Sequence, residues 1–472
     1  MRALFESIPF PVTLKIYIFN ITNADDVSKG SKPILQEIGP EWKERHDIKD
    51  DNFRDTVSYD LKNRIFFRPD LSAGLTGDEI VTLPHLVMLG GIMATKRDRE
   101  PMVPFVAKAM NNIFHPTSLF ITVRVMDFLF DGLIFNCEGS EFSSKTVCAA
   151  IKSGSEGVKA LNETHLSISL LGHKNGTSIG RFQIFRGIKN IAEMGQILTL
   201  NDDRIQSVWN GDECNRIVGT DATIFPPFLK PEEGLWTFSP DICMSLQAHF
   251  VRKSSYAGLP TSYYSVDFGD FKNDPSKHCF CHDPPEVCPP RGTLDLMECV
   301  GSPIFASKPH FLDVDPDIAA RVDGLKPDRL LHDVYVNFEA ISGTPLDGAK
   351  RLQFNIEMKP VEQFEVMRQV PEALLPLFWA EESVQLNKTY TNLLKYQLFL
   401  AKKLNSVAKW IAIIGGIVGL IFSGFMIHSE GTKKTAVSTV CSEVIEIKRR
   451  NSENIKYLSE DAHSVKEDDK KH

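Results

Sequence analysis

The chain has 472 residues, 42% hydrophobic and 24% charged, ordinary globular values that exclude both a multi-span membrane protein and a disordered chain. Its formal net charge of −8 argues against a nucleic-acid partner, because a phosphate-binding face needs a basic excess. Phenylalanine is the outlier: 31 Phe stand against 9 Tyr and 5 Trp, so much of the aromatic surface has no polar handle and must meet packed core or an apolar ligand.

In chain order, Lys15 to Ile21 (KIYIFNI) alternates as a strand does. Between Leu83 and Phe135 the period changes, and Met102, Phe105, Val106, Ala109, Met110 and Ile113 recur at helical spacing. Thr164 to Leu170, Gly180 to Phe185 and Leu352 to Met358 read as further strands separated by Gly, Asn and Pro clusters. The pattern predicts an α+β fold, an antiparallel β domain carrying a helical cap over residues 83–135. The apolar stripe of the cap, with Phe114 and Phe120 beyond it, is the expected ligand entrance, because Met side chains adapt to varied apolar shapes.

Six cysteines, Cys214, Cys243, Cys279, Cys281, Cys288 and Cys299, fall within residues 214–299. His278, Cys279, Cys281, His282 and Cys288 have the residue types of a zinc site but lack its paired knuckle spacing, so no metal is expected. Six cysteines allow 15 pairings. Joining Cys279 to Cys281 would close a very tight loop, and setting those three aside leaves twelve that spacing does not resolve. Asp313-Val-Asp-Pro-Asp317 fails as a calcium loop, with Ile318 at the sixth position and Gly324 at the twelfth. No nucleophile elbow, H-E-x-x-H, P-loop or dinucleotide fingerprint occurs, which argues against an enzyme and against a bound cofactor.

Trp410 to Ile427 contains no charge over eighteen residues and shows no polar face; with Val407 and Ala408 it predicts a transmembrane helix over 407–427. The sequons at Asn20, Asn162, Asn175 and Asn387 and eight of the nine cysteines precede this run. Residues 1–406 are therefore expected outside the cell membrane and 428–472 in the cytoplasm. Met1 to Asn20 lacks the apolar stretch of a signal peptide, so a first span is expected before Met1. In the tail, Tyr457-Leu-Ser-Glu460 ends in a charge where a tyrosine sorting motif needs a bulky apolar residue, which favours residence at the surface.

The segments GSKPILQEIGP (Gly30 to Pro40), GTDATIFPPF (Gly219 to Phe228), FSPDICMSL (Phe238 to Leu246), the Cys279-Phe-Cys281 pair and KPHFL (Lys308 to Leu312) resemble the class B scavenger receptors from about Phe5 through the span. SIPFPVTLKIYIFNITNADDV, LTGDEIVTLPH, EAISGTPLDGAKRLQFNI and LFWAEESVQLNKTYTNLLKYQLFL are similar to the insect sensory neuron membrane proteins, and GHKNGT and LPLFWAEE to their second type. The resemblance implies a large β-barrel-like ectodomain between two spans, with a helical cap and an internal lipid tunnel. It implies disulfides Cys214–Cys279, Cys243–Cys299 and Cys281–Cys288; Cys137 and Cys148, often cysteine in the insect branch, leave a fourth bridge open. Pro40 runs straight into Glu41-Trp42, where relatives usually carry additional residues, a departure that bears on the strand over Glu37 to Glu44.

The implied function is a membrane receptor or co-receptor that binds a hydrophobic small molecule, a fatty-acid-derived odorant or pheromone. It would pass that ligand through the tunnel toward the membrane and an odorant receptor complex. The competing reading is a general scavenger-type receptor for lipid or lipoprotein uptake.

Overall fold

The computed structural model of the chain describes residues 12–45, 55–139, 141–154, 157–282 and 287–464; Phe5 to Pro11, where the resemblance begins, and residues 465–472 of the tail lie outside them. The chain divides into two units, Met1–Lys388 and Thr389–His472.

The first unit is organised by one antiparallel sheet. From one edge its strands are Leu235–Ser239, Met244–Tyr256, Leu259–Val266, Tyr335–Glu339, Thr344–Met358, Ala373–Gln385, Val12–Ile21 and Leu35–Arg45, ending at the two-residue strand Phe66–Phe67. The hairpin of Thr293–Asp295 and Ile304–Ser307 joins this sheet through the Thr344–Met358 strand. The strand read from Lys15 to Ile21 therefore lies inside the sheet, between the last long strand of the unit and Leu35–Arg45. Gly39 sits at a register shift between Ile16 and Ile18, where an added Cβ would lie 2.9 Å from the Ile16 carbonyl oxygen, so only glycine lets the two backbones approach this closely. Among the described residues the sheet is open, with Leu235–Ser239 and Phe66–Phe67 at its two edges; the ladders do not close it into the barrel expected from the resemblance.

Alternation gives the sheet two unlike faces. Leu14, Ile16 and Ile18 are buried on one, while Lys15 and Tyr17 lie on the other, half-buried. The apolar face continues through Ile356, Leu375 and Leu377 into the main core, which also takes in helix α1 (Leu86–Asp98) and helix α2 (Val103–Phe114). Helix α3 (Phe142–Gly154) contributes Val147 to the same core. The helical segments thus extend beyond the 83–135 interval read from the sequence, and that interval also holds the strand Phe120–Arg124. The cause is the hairpin-like pairing of Ile80–Pro84 with Phe120–Arg124, which returns the chain to the foot of the helices before α3 begins.

Four disulfides tie the unit together: Cys137–Cys148, Cys214–Cys279, Cys243–Cys299 and Cys281–Cys288. The last three surround a second core of Trp209, Ile242, Phe271 and Leu294. Trp209 Nε1 donates to the Cys243 carbonyl at 2.7 Å, so the indole inside this core has its polar atom satisfied. The second unit is dominated by helix α4 (Leu400–Ser464), which contains the whole apolar run and continues without a break past Ile427. It is long and apolar enough to cross a membrane.

The closed loops differ in length, and this sets the expected order of their contributions. Cys214–Cys279 and Cys243–Cys299 span 65 and 56 residues, whereas Cys281–Cys288 spans 7. Loop-closure entropy assigns about 4 kcal/mol to each long loop and about 2 kcal/mol to the short one. Paired Cys→Ser variants should reproduce that order in urea unfolding of the full chain; an equal loss from the short loop would contradict it.

Candidate functional site

At the foot of the helices four segments converge on an apolar cleft of ≈ 340 Å³: His85–Val87, Ile121–Val123, Leu133–Phe135 and Ile168. Each wall has a local cause. Ile121 and Val123 occupy alternate positions of the Phe120–Arg124 strand, which pairs Leu83 with Ile121 and Val81 with Val123. Leu133 and Phe135 alternate on the strand Leu133–Asn136, which pairs Leu133 with Ile168. His85 is the N-cap of α1, and its Nδ1 accepts from the Met88 amide at 3.4 Å. The ring of Phe114 meets His85 edge-on at 4.5 Å and lies 5.3 Å from Phe135.

The lining carries no ionised group at neutral pH. Its polar side chains are Thr122 and His85, and burial depresses the His85 imidazole to about 4. Charges lie on the flank, where Arg124 pairs with Asp78 and Asp127, each at 3.2 Å. A cleft of this volume with an uncharged lining suits an apolar or weakly polar small molecule.

The helical stripe expected to form the entrance is mostly core. Ala109 and Met110 are 0% and 1% exposed, and Phe120 is also buried. An added Cβ at Gly91 would lie 2.6 Å from Met110 Cε, so this methionine fills the seam between α1 and α2. Phe105, Val106 and Ile113 are half-buried against the same core, and Phe105 also meets the exposed Phe142 at 6.2 Å. Met102 is exposed, and only Phe114 reaches the wall of the cleft. The physical reason is that an amphipathic stripe on a short helix points first at its nearest apolar neighbour, here α1 and the sheet. His85, Leu86, Ile121, Val123, Leu133, Phe135 and Ile168 were missed because they come from separate elements. The one available clue was the period-two pattern of Phe120-Ile-Thr-Val-Arg124.

The sequons fall at Asn162, Asn175 and Asn387, all exposed, and at half-buried Asn20, whose Oδ1 accepts from the Thr82 amide at 2.8 Å. The cysteines weighed as zinc ligands are all in disulfides, which removes their thiolates from metal chemistry.

The sequence matches the CD36 family over residues 1–427. The chain belongs to the CD36 family. It is 50% identical to sensory neuron membrane protein 1 of Aedes aegypti over 94% of this chain and 83% of that protein. Its identity is 49% to the Anopheles gambiae protein of the same name, over 93% and 82%, and 42% to that of Ostrinia nubilalis, over 91% and 84%. These relatives carry the first-type name, not the second-type one expected from GHKNGT and LPLFWAEE. As a CD36-family member the chain is a membrane receptor of the class B scavenger type.

The depressed His85 gives a signed pH dependence. The unfolded chain takes up a proton near the ordinary value of about 6.5, while the folded site resists until about 4. Protons therefore favour the unfolded state, and stability should fall as pH drops from about 6.5 toward 4. His85→Asn, which keeps a capping oxygen, should flatten part of that slope in urea midpoints measured between pH 7 and pH 4.5. An unchanged slope would mean that His85 titrates normally in the folded protein.

Proposed function

We propose that this receptor takes up a hydrophobic odorant or pheromone at the apolar cleft beside α1 and α2 and passes it toward the membrane and an odorant receptor complex. In this reading residues 1–406 face outward with their sequons and disulfides, 407–427 cross the cell membrane and 428–472 lie in the cytoplasm. An internal passage through the ectodomain, closed as a barrel, belongs to the same proposal. The observation that carries it is the uncharged cleft of ≈ 340 Å³ lined by Leu86, Ile121, Val123, Leu133 and Phe135. A ligand burying about 300 Å² of apolar area there gains roughly 7 kcal/mol before the cost of association is subtracted. The relatives' name, sensory neuron membrane protein 1, supports a sensory setting for this reading.

Filling the cleft tests this directly. Val123 is half-buried on the lining, so Val123→Trp adds bulk to the cleft and less to the core. In cells that express an odorant receptor with this chain, the variant should lose at least tenfold in sensitivity to a hydrophobic odorant while its glycans mature normally. The comparison variant Met110→Trp overpacks a fully buried seam and should fail at maturation instead. A full odorant response from mature Val123→Trp protein would overturn the assignment of the cleft.

A further inference from the structure

The opposite, polar face of the sheet forms a second cleft, of ≈ 430 Å³, that has no part in the reading above. Its floor comes from adjacent strands held in register: Arg351 lies opposite Glu381, Glu381 opposite Lys15, and Trp379 opposite Tyr17. Arg351 Nε and Lys15 Nζ each donate to a different oxygen of Glu381 at 2.7 Å, so that carboxylate is fully engaged. Glu37 Oε2 accepts from Trp379 Nε1 at 2.8 Å and lies 2.6 Å from His310 Nε2.

Four residues of the lining, Arg351, Tyr17, His332 and Glu37, each keep one polar atom with no hydrogen-bond partner among the described residues. Arg351 is 8% exposed, and its Nη1 donates to the Asp333 carbonyl at 2.7 Å, but Nη2 bonds to nothing. Tyr17 Oη is likewise without a partner; its ring stacks on Trp379 at 3.8 Å. His332 Nδ1 accepts from the Asp328 amide at 2.9 Å, which leaves Nε2–H as the donor of the neutral ring. The second oxygen of Glu37 completes the set as an acceptor. The cleft therefore offers three donors and one acceptor, one donor on a nine-tenths-buried guanidinium.

We propose that this cleft binds a neutral polyol, either free or as the head of a lipid, through Arg351, Tyr17, His332 and Glu37. Charge balance selects the class. The charged residues of the lining are Lys15 and Arg351 against Glu37 and Glu381, so an added carboxylate or phosphate would leave an uncompensated negative charge in a half-enclosed site. A hydroxyl both donates and accepts, which matches the mixed set of open groups. Burial and the nearby carboxylates push Tyr17 up to about 12 and burial holds His332 down to about 4, so both remain neutral donors across the physiological range. Leu331, exposed at the mouth, offers a place for a short alkyl chain.

The experiment uses the full chain in phosphatidylcholine nanodiscs and saturation-transfer NMR with three soluble probes: monobutyrin, glucose and butyrate. Monobutyrin or glucose should bind saturably, and Tyr17→Phe should weaken that binding about threefold to tenfold, the effect of losing one hydrogen bond, without moving the unfolding midpoint. Ser383→Leu, which places apolar bulk on the lining, should abolish it. Dependence on Tyr17 for monobutyrin alone identifies a lipid head as the source, and for glucose alone a free sugar; either supports the class. Binding of butyrate as tight as that of the polyols, saturable binding of neither polyol, or polyol binding indifferent to both substitutions would overturn the proposal.

Discussion

The pairing of Val12–Ile21 with Ala373–Gln385 is the constraint on which the rest of the first unit depends. It brings Lys15 and Glu381, 366 positions apart, to 2.7 Å and encloses both cap helices and all four disulfides within one chain closure. A closure of that length carries a high entropic cost and is slow to form, so it must be held by many contacts at once. The apolar face holds it through Ile16, Ile18 and Phe378, each nearly inaccessible to water. The polar face holds it through the Lys15–Glu381–Arg351 ladder. Glu381 is 5% exposed, and although burial raises its pKa, the bonds from Lys15 and Arg351 outweigh this and keep it ionised. Removing one partner of such a buried set costs about 3–5 kcal/mol, because the others are left unpaired.

How much of this was legible differs by element. Lys15 to Ile21 and Leu352 to Met358 announce themselves by alternation, since a two-faced sheet needs unlike neighbours at every step. The apolar run of α4 is equally plain, because nothing but length and lack of charge defines it. The order of strands is not local information: that Val12–Ile21 sits beside Ala373–Gln385 depends on partners more than 350 residues away. The cap stripe forms a helix as its spacing predicts, and Ala109 and Met110 on it are covered by protein, because periodicity reports which face is apolar and not whether protein or ligand covers it. Met110 illustrates the point: its spacing is that of a pocket residue, and its surroundings are Gly91 and the α1 seam. Likewise, Arg351 and Glu381 look like ordinary strand charges in isolation and become a buried ladder only through register.

The two clefts divide the chemistry of the unit between them. One lies where strands from two small sheets meet α1 and leaves an uncharged, aliphatic and aromatic lining; the other lies on the central sheet and is lined by balanced charge. The same alternation produces both, since a strand that gives one residue to the apolar core must give the next to the opposite side. Three of the four disulfides surround the second core, while Cys137–Cys148 follows the Leu133–Asn136 strand of the apolar cleft; none of these cysteines is itself in either lining, so the walls of both clefts are left to van der Waals and hydrogen-bond contacts.

Apolar ligand is proposed to occupy the cleft at the foot of α1, and photolabelling would locate it there. A long-chain alkyl diazirine bound to the full chain in nanodiscs, irradiated and mapped by peptide mass spectrometry, should place its adducts on Ile121–Val123 and Leu133–Phe135 and lose them when unlabelled hydrophobic odorant is in excess. Adducts confined to α4, or labelling of Phe105 and Met102 without the two strands, would place the ligand elsewhere and overturn the assignment of the cleft.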